Sequence, residues 1–142
     1  MDEFDFETLA IHAGEEPDPA TGATRLPLHM ATTFKLPGFG IKLFDALMMD
    51  SDRPPFAYTR WGTPTLRALE DRLAALEGAE AAVVTASGMA AVSALLFTFL
   101  NSGDHLVASE VCYAGSVELF GLHLPRFGIE VSLVDTSDPE QV

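Results

Sequence analysis

The chain has 142 residues, 48% of them hydrophobic, so it is large and apolar enough for one packed domain. Its 21 acidic and 8 basic residues give a net charge of -13, which argues against a nucleic-acid groove or an anionic membrane surface as its partner. The single cysteine, Cys112, excludes an internal disulfide and a cysteine metal cluster. No metal site is predicted, because the four histidines lack metal-ligand spacing. The acidic N-terminus does not resemble a signal peptide, so a cytoplasmic location is expected.

Residues 1–62 are predicted to form an arm with little core of its own, ahead of a domain over residues 63–142. A short helix is expected over residues 6–13, followed by a loop rich in Pro, Gly and acids. Residues 26–36 have prolines at or beside their edges, which favours an extended segment over a central strand. A second short helix is predicted over residues 41–49. An arm of this kind is expected to lie on another subunit.

A well-marked helix is predicted to begin after Thr63. Thr63 suits the N-cap, Pro64 suits the first helical position, and Gly78 is placed to end the helix. The leucines of this segment recur at helical spacing and predict one apolar stripe. They are Leu66, Leu69, Leu73 and Leu76.

The most informative stretch follows, with a strand predicted over residues 81–85, a break at Ser87 and Gly88, and a helix over residues 89–100. A helix N-terminus carries unpaired N–H groups and a partial positive charge, and together these can bind a phosphate. Gly88 lacks the Cβ that would hold an anion off the backbone, and Ser87 adds a hydroxyl donor. For these residues alone, an ordinary tight turn is the more frequent interpretation.

Strands and helices continue to alternate to the end of the chain. The predicted elements are a strand over residues 105–109, a helix over 116–124, a strand over 129–134 and a helix starting at Glu140. This alternation predicts an α/β fold with a parallel sheet. Ligands of such sheets bind beyond the carboxyl ends of the strands. The loops at 86–88, 110–113 and 135–137 are therefore expected to converge on one edge.

Motifs over nearly the whole chain resemble those of the cystathionine γ-synthase/γ-lyase family. They are TLAIHAG, DPATGA, YTRWGTPT, ALEDRLAALEGAEAAVVTASGMAA, SGDHLVAS and LPRFGIEVSLVDTSDPE. The enzymes of this family act in cysteine and methionine metabolism and use pyridoxal 5′-phosphate (PLP). The resemblance implies an N-terminal arm and the first part of a mainly parallel-sheet PLP-binding domain of the aspartate aminotransferase type (fold type I).

The resemblance also assigns roles to individual residues. Ser87, Gly88 and Met89 match the family's phosphate cradle, in which the N–H groups of Gly88 and Met89 would hold the PLP phosphate. Tyr113 matches a tyrosine that stacks on the pyridine ring and assists proton transfer, and a phenol suits both tasks. From composition alone, Tyr113 would be a half-buried loop tyrosine.

A third motif, YTRWGTPT, is expected to act across a subunit boundary. In the family, the residues that match Tyr58 and Arg60 reach the PLP phosphate of the neighbouring subunit, and an arginine fork suits phosphate oxygens. A loop arginine paired with a local acid is the alternative. Thr59, Trp61 and Thr63 depart from the usual family pattern, which weakens any inference about the substrate.

The activity implied is PLP-dependent γ-elimination or γ-replacement on sulfur amino acids, with a cystathionine γ-lyase-like reaction favoured. The alternatives are a cystathionine γ-synthase, an O-acetylhomoserine sulfhydrylase and a methionine γ-lyase. Methionine γ-lyases commonly carry a cysteine two places after the tyrosine, where this chain has Gly115. That difference counts against methionine as the substrate.

The residues that complete such an enzyme are expected outside this sequence. The family's Schiff-base lysine and the acid that pairs with the pyridinium nitrogen lie downstream of the matched region. Lys35 and Lys42 match no such motif. We therefore expect the chain to be an N-terminal part of a homodimeric or homotetrameric enzyme, inactive alone. A non-catalytic interaction module is the competing class of function.

Overall fold

The computed structural model describes residues 4–36 and 55–142. Two compact units are present, Met1–Val84 and Thr85–Val142. The predicted boundary between arm and domain at residue 62 stays a prediction, and the helix predicted over residues 41–49 lies outside the described residues. None of the helices in the described ranges is long and apolar enough to span a bilayer.

The first unit contains helices α1 (Phe6–His12) and α2 (Pro64–Glu77). The predicted caps of α2 are confirmed. The Thr63 hydroxyl oxygen accepts the Leu66 N–H at 3.2 Å, and Gly78 ends the helix with a left-handed φ of 63°. The helix predicted over residues 6–13 is confirmed as α1.

Close backbone approach determines which side chains of α2 are buried. A Cβ on Gly14 would lie 2.4 Å from the Ala68 carbonyl oxygen, so the segment after α1 runs directly against α2. The buried residues of α2 are Ala68 and Ala74, whereas Leu69 and Leu73 are exposed. The leucines lie on one helix at the predicted spacing, but Leu69 and Leu73 stay exposed in the described part of the chain. Small residues occupy the buried face because larger side chains would keep the two segments apart.

A network that we call the Glu15 clasp joins the end of α1 to α2. The Glu15 carboxylate lies 2.7 Å from an Arg72 terminal nitrogen and 3.2 Å from one of Arg25. Arg72 Nε also donates to the Ala13 carbonyl, and Arg25 donates to the Ile11 carbonyl. The hydrogen bond from Arg72 is the main cause that lowers the pKa of Glu15, and Arg25 adds to it.

Residues 26–36 form neither a helix nor a strand of a sheet, in agreement with the prediction of a segment outside a sheet centre. Thr33 forms one isolated antiparallel bridge with Tyr58. On either side of it, Phe34 N–H donates to the Ala57 carbonyl at 3.0 Å and Thr59 N–H donates to the Thr32 carbonyl at 2.9 Å. These bonds fix the backbone immediately before a 3₁₀ turn over Thr59–Trp61.

The second unit places two helices beside a pair of parallel strands. Its elements are α3 (Gly88–Phe99), β1 (His105–Ser109), α4 (Ala114–Glu118), a π-helical turn (Leu119–His123), a 3₁₀ turn (Leu124–Phe127) and β2 (Glu130–Val134). β1 and β2 pair in parallel from His105 with Glu130 to Ser109 with Val134. The buried core consists of Leu96, Leu119, Phe120, Leu124 and Ile129. The predicted parallel pairing is confirmed for these two strands.

The strand predicted over residues 81–85 is wrong for the described part of the chain. A strand exists only where its backbone pairs with a neighbouring strand, and the sheet described here contains β1 and β2. Residues 81–85 have no regular secondary structure. The Val84 N–H instead donates to the Glu70 carboxylate at 3.0 Å.

Two helix boundaries also differ from the predictions. The helix expected over residues 116–124 begins at Ala114 and continues through the π-helical and 3₁₀ turns to Phe127. Pro125 fits near the start of the 3₁₀ turn, where its missing N–H costs no helical bond. Glu140 lies in a turn rather than at the start of a helix, and its N–H donates to the Asp138 carboxylate at 3.1 Å.

Acid should weaken the Glu15 clasp, because a carboxyl whose pKa falls on folding stabilises the fold while it is ionised. This stabilisation is present above the unfolded-state pKa of about 4.5 and is lost as the pH falls through the lower pKa of the folded state. Glu15→Gln should lower stability at neutral pH and flatten the acid side of the stability profile. Urea unfolding over a series of pH values measures both effects.

Glu16→Gln is the matched control, since the described part of the chain provides Glu16 with no ion-pair partner. This control should leave the profile unchanged. Parallel acid profiles for the Glu15→Gln variant and the unchanged protein would contradict the role of the clasp.

Candidate functional site

The start of α3 presents two backbone donors without partners. The Ser87 hydroxyl oxygen accepts the Ala90 N–H at 3.1 Å, and the Ser87 carbonyl accepts the Ala91 N–H at 3.1 Å. Within the described part of the chain, the N–H groups of Gly88 and Met89 have no hydrogen-bond acceptor. The Ser87 hydroxyl hydrogen also remains able to donate, because the bond to Ala90 uses only the oxygen. Three donors therefore converge at the positive end of a helix.

Gly88 keeps the space in front of these donors clear. A Cβ added at Gly88 would meet no atom within 4 Å, apart from its chain neighbours and the backbone of its own helix. Its φ is not in the left-handed region, so the backbone itself does not require glycine. The opening and the donor set are what a phosphate group requires at a helix N-terminus.

Tyr113 lies beside this helix start. It is the N-cap of α4, and its carbonyl accepts the N–H groups of Ser116 and Val117. Its ring leans back over Gly115, with Cε1 only 2.7 Å from the point where a Cβ on Gly115 would lie. The Met89 sulfur lies 3.3 Å from that same point. Tyr113 and Met89 thus both lie against Gly115, an arrangement that the sequence prediction missed.

The loops after the two strands lie at one edge of the pair, as the parallel arrangement predicts. Glu110 N–H donates to the Val134 carbonyl at 2.9 Å, and the Thr136 hydroxyl donates to the Ser109 hydroxyl at 3.2 Å. Asp135 is used locally, because it accepts the backbone N–H and the hydroxyl of Ser137. The bond from that hydroxyl is the main cause that lowers the pKa of Asp135.

Tyr58 and Arg60 belong to the first unit. The Arg60 guanidinium carbon lies 5.3 Å from the centroid of the Tyr58 ring. Trp61 packs edge-on against Tyr58, with ring centroids 6.5 Å apart. The two aromatic rings and the cation form an exposed cluster on the 3₁₀ turn, in the range of a cation–π contact.

A cavity of about 800 Å³ lies elsewhere in the first unit, between α1 and α2. Its charged lining includes five acids and one arginine: Glu15, Glu16, Glu70, Asp71, Glu80 and Arg67. An excess of carboxylates repels a phosphate, so this cavity is a poor candidate for an anionic cofactor. No three His, Cys, Asp or Glu side chains of residues 4–36 and 55–142 are grouped as metal ligands.

The model of the Cys/Met metabolism PLP-dependent enzymes matches residues 7–142. The chain belongs to this family. It is 44% identical over 137 residues to a canavanine γ-lyase of Pseudomonas canavaninivorans, a match that covers 95% of this chain and 33% of that protein. It is 40% identical over 139 residues to an O-acetyl-L-homoserine sulfhydrylase of Leptospira meyeri, covering 96% and 30%.

The fold agrees with membership of the PLP-dependent family. The structure matches the crystal structure of metB from Corynebacterium glutamicum with a TM-score of 0.84 and 37% identity, over 98% of this chain and 34% of that one. The chain therefore has the α/β fold of these fold type I enzymes and spans about a third of the length of the relatives it matches.

The residues at the start of α3 fit the family's cofactor. PLP combines a phosphate with a flat aromatic ring, and this site combines convergent backbone donors with the neighbouring ring of Tyr113. Ser87, Gly88, Met89 and Tyr113 come together within the second unit. Their individual roles toward PLP stay predictions.

Gly88→Ala should weaken PLP binding by the complete protein and leave the fold intact. The added Cβ has open space, and alanine favours helix more than glycine does, so the unfolding free energy should be unchanged or higher. The same Cβ would hold the phosphate off the backbone. Loss of one hydrogen bond to a charged group corresponds to roughly ten- to a hundredfold weaker binding.

Fluorescence titration of the apoprotein with PLP, combined with thermal unfolding, measures the two quantities separately. Gly121→Ala is the matched control, because a Cβ there also meets nothing within 4 Å. Equal PLP affinity in the two variants would show that the phosphate does not bind at Gly88.

Proposed function

We propose that the complete protein is a PLP-dependent enzyme that eliminates or replaces a γ-substituent of a sulfur amino acid. A cystathionine γ-lyase-like elimination is the favoured reaction. One observation carries the proposal: the N–H groups of Gly88 and Met89 are free in the described part of the chain, and the Met89 side chain and the Tyr113 ring both lie against Gly115. Membership of a PLP-dependent family supports the same assignment.

The start of α3 binds the cofactor phosphate. The N–H groups of Gly88 and Met89 and the hydroxyl of Ser87 donate to phosphate oxygens, and the helix dipole favours the negative charge. These local donors matter because the chain as a whole carries a charge of -13. An anion is held here by short-range hydrogen bonds against an unfavourable long-range field.

Tyr113 orients the ring of the cofactor and handles a proton. When bound, PLP supplies an electron sink for the negative charge that develops on the amino acid after a proton is removed. The flat face of the Tyr113 phenol packs on the pyridine ring, and its oxygen holds or moves a proton near the reacting carbons. Its side chain is 70% exposed in this chain, which leaves the ring accessible to a ligand.

The arm completes the site of a second subunit in this proposal. Tyr58 holds the Arg60 guanidinium at 5.3 Å, which restrains the arginine before it meets a phosphate. Arg60 then binds the cofactor phosphate of the neighbouring subunit in a cytoplasmic homodimer or homotetramer. Residues 1–62 serve as the subunit-contacting arm, and residues 63–142 are the first part of the PLP-binding domain.

The alternative reactions are those of a cystathionine γ-synthase, an O-acetylhomoserine sulfhydrylase and a methionine γ-lyase. The named relatives include a lyase and a sulfhydrylase, and the matched region is similar to both. A lyase releases a keto acid and ammonia from one substrate, whereas a replacement enzyme requires a second substrate. This difference in stoichiometry separates the candidates.

The complete protein, saturated with PLP, should release a keto acid from cystathionine without a second substrate. The assay panel adds methionine, canavanine, and O-acetylhomoserine with sulfide. Tyr113→Phe should lower kcat by about a hundredfold, the scale of a lost proton-transfer group. Cys112→Ser is the control, because this exposed neighbour of Tyr113 has no role in the proposal. No turnover of any panel member would favour the non-catalytic interaction module.

A subunit-mixing experiment tests the role of Arg60 across the boundary. A subunit with Arg60→Ala is mixed with a subunit that lacks the Schiff-base lysine, each inactive by itself. If Arg60 acts on the neighbouring site, one site of the mixed dimer carries both defects and the other carries none. Random pairing into symmetric dimers then restores roughly a quarter of the normal activity.

The exposed Arg126 provides the control, since Arg126→Ala should keep its activity before any mixing. Failure of the mixture to regain activity would show that Arg60 serves its own subunit.

A further inference from the structure

We propose that Gly115 is a positioning residue for Tyr113. Its lack of a side chain lets the phenol ring lie over Gly115, at the place that the Met89 side chain of α3 also approaches. A Cβ at this position would be 2.7 Å from Tyr113 Cε1 and 3.3 Å from both Tyr113 Cδ1 and the Met89 sulfur. Non-bonded carbon atoms do not approach to 2.7 Å, so a Cβ at residue 115 displaces the ring from the position that it has in this chain. The use of the ring by PLP rests on the proposed function, but the steric relation does not.

The backbone gives no other reason for glycine at this position. Gly115 is the second residue of α4, and its φ is not in the left-handed region where glycine is favoured. Gly128, by contrast, has a φ of 75° and ends a 3₁₀ turn. Within a helix, glycine is less favourable than alanine because it loses more backbone freedom on folding. Gly115 thus carries a local cost, and the space taken by its neighbours accounts for it.

The ring of Tyr113 is the group that moves when this space is filled. Tyr113 is 70% exposed, so its ring can rotate outward into solvent at little cost. Met89 packs against the buried core, and the Ser116 hydroxyl lies 3.7 Å from its sulfur. A methyl group at residue 115 therefore turns the tyrosine away and leaves the core in place.

This displacement separates two functions that share one location. The N–H groups of Gly88 and Met89 remain able to bind a phosphate, because neither belongs to the displaced ring. The stacking surface that accompanies them is lost. Gly115 acts on the cofactor through Tyr113 without any contact of its own.

The test compares Gly115→Ala with Gly121→Ala in the complete protein, first without PLP. Tyrosine labelled with ¹³C at Cε reports the ring directly, and its loss in Tyr113→Phe identifies the Tyr113 signal. Gly115→Ala should shift this signal, whereas Gly121→Ala should not, because a Cβ at Gly121 meets nothing within 4 Å. An unshifted Tyr113 signal in Gly115→Ala overturns the proposal.

A second measurement links the ring to the cofactor. Gly115→Ala should weaken PLP binding by about two- to tenfold, the range expected for a lost aromatic contact. Inorganic phosphate should bind the apoprotein equally well in both variants. If the unchanged protein binds no PLP, the proposed function fails, and the labelled-tyrosine experiment still decides the position of the ring.

Thermal unfolding tests whether Gly115→Ala weakens PLP binding only because it destabilises the fold. In a Tyr113→Ala background the ring is absent, so Gly115→Ala should raise the melting temperature through its better helix propensity. The proposal would be overturned if Gly115→Ala lowered the melting temperature of Tyr113→Ala as much as it lowers that of the unchanged protein. The loss of stability would then not come from the Tyr113 ring.

Discussion

The first N–H groups of an α-helix have no carbonyl acceptor within the helix. The candidate site in the second unit depends on these unpaired donors at the start of α3. Ser87 satisfies the donor of Ala90 and leaves those of Gly88 and Met89 to meet something from outside the helix. An acidic chain offers few other ways to hold an anion. The free donors gain their direction from α3, whose inward face packs into the core at Leu96.

The sequence predicted much of the fold where local chemistry decides it. β1 has the predicted bounds, because a short apolar segment between turn residues leaves few alternatives. The caps of α2 were equally readable in Thr63 and Gly78. The strand prediction for residues 81–85 was wrong, because a strand needs a partner strand and the residues of the segment do not reveal whether one is present. The spacing of the leucines on α2 did not reveal that Ala68 and Ala74 are the buried residues, since the close approach at Gly14 depends on the fold.

Some residues of the candidate site could be predicted from their neighbours in the sequence, whereas others depend on residues far away in the chain. Ser87 and Gly88 stand out locally, because a cap and a missing Cβ are visible in the sequence. Tyr113 and Met89 lie against the same glycine although they are far apart in the chain, so only the folded structure reveals this arrangement. A glycine two residues after a tyrosine, at the start of a helix, is a signal that could have pointed to it. Tyr58 and Arg60 rest on family resemblance and stay predictions.

The empty space at Gly115 also limits how this site can change through mutation. At most positions a protein can pass through a series of similar side chains, each altering the geometry a little. No amino acid differs from glycine by only a small change of side chain, since every other amino acid carries a Cβ. The first step away from Gly115 is therefore the largest one. Gradual change of the ring position has to begin at residue 89 or 113 instead.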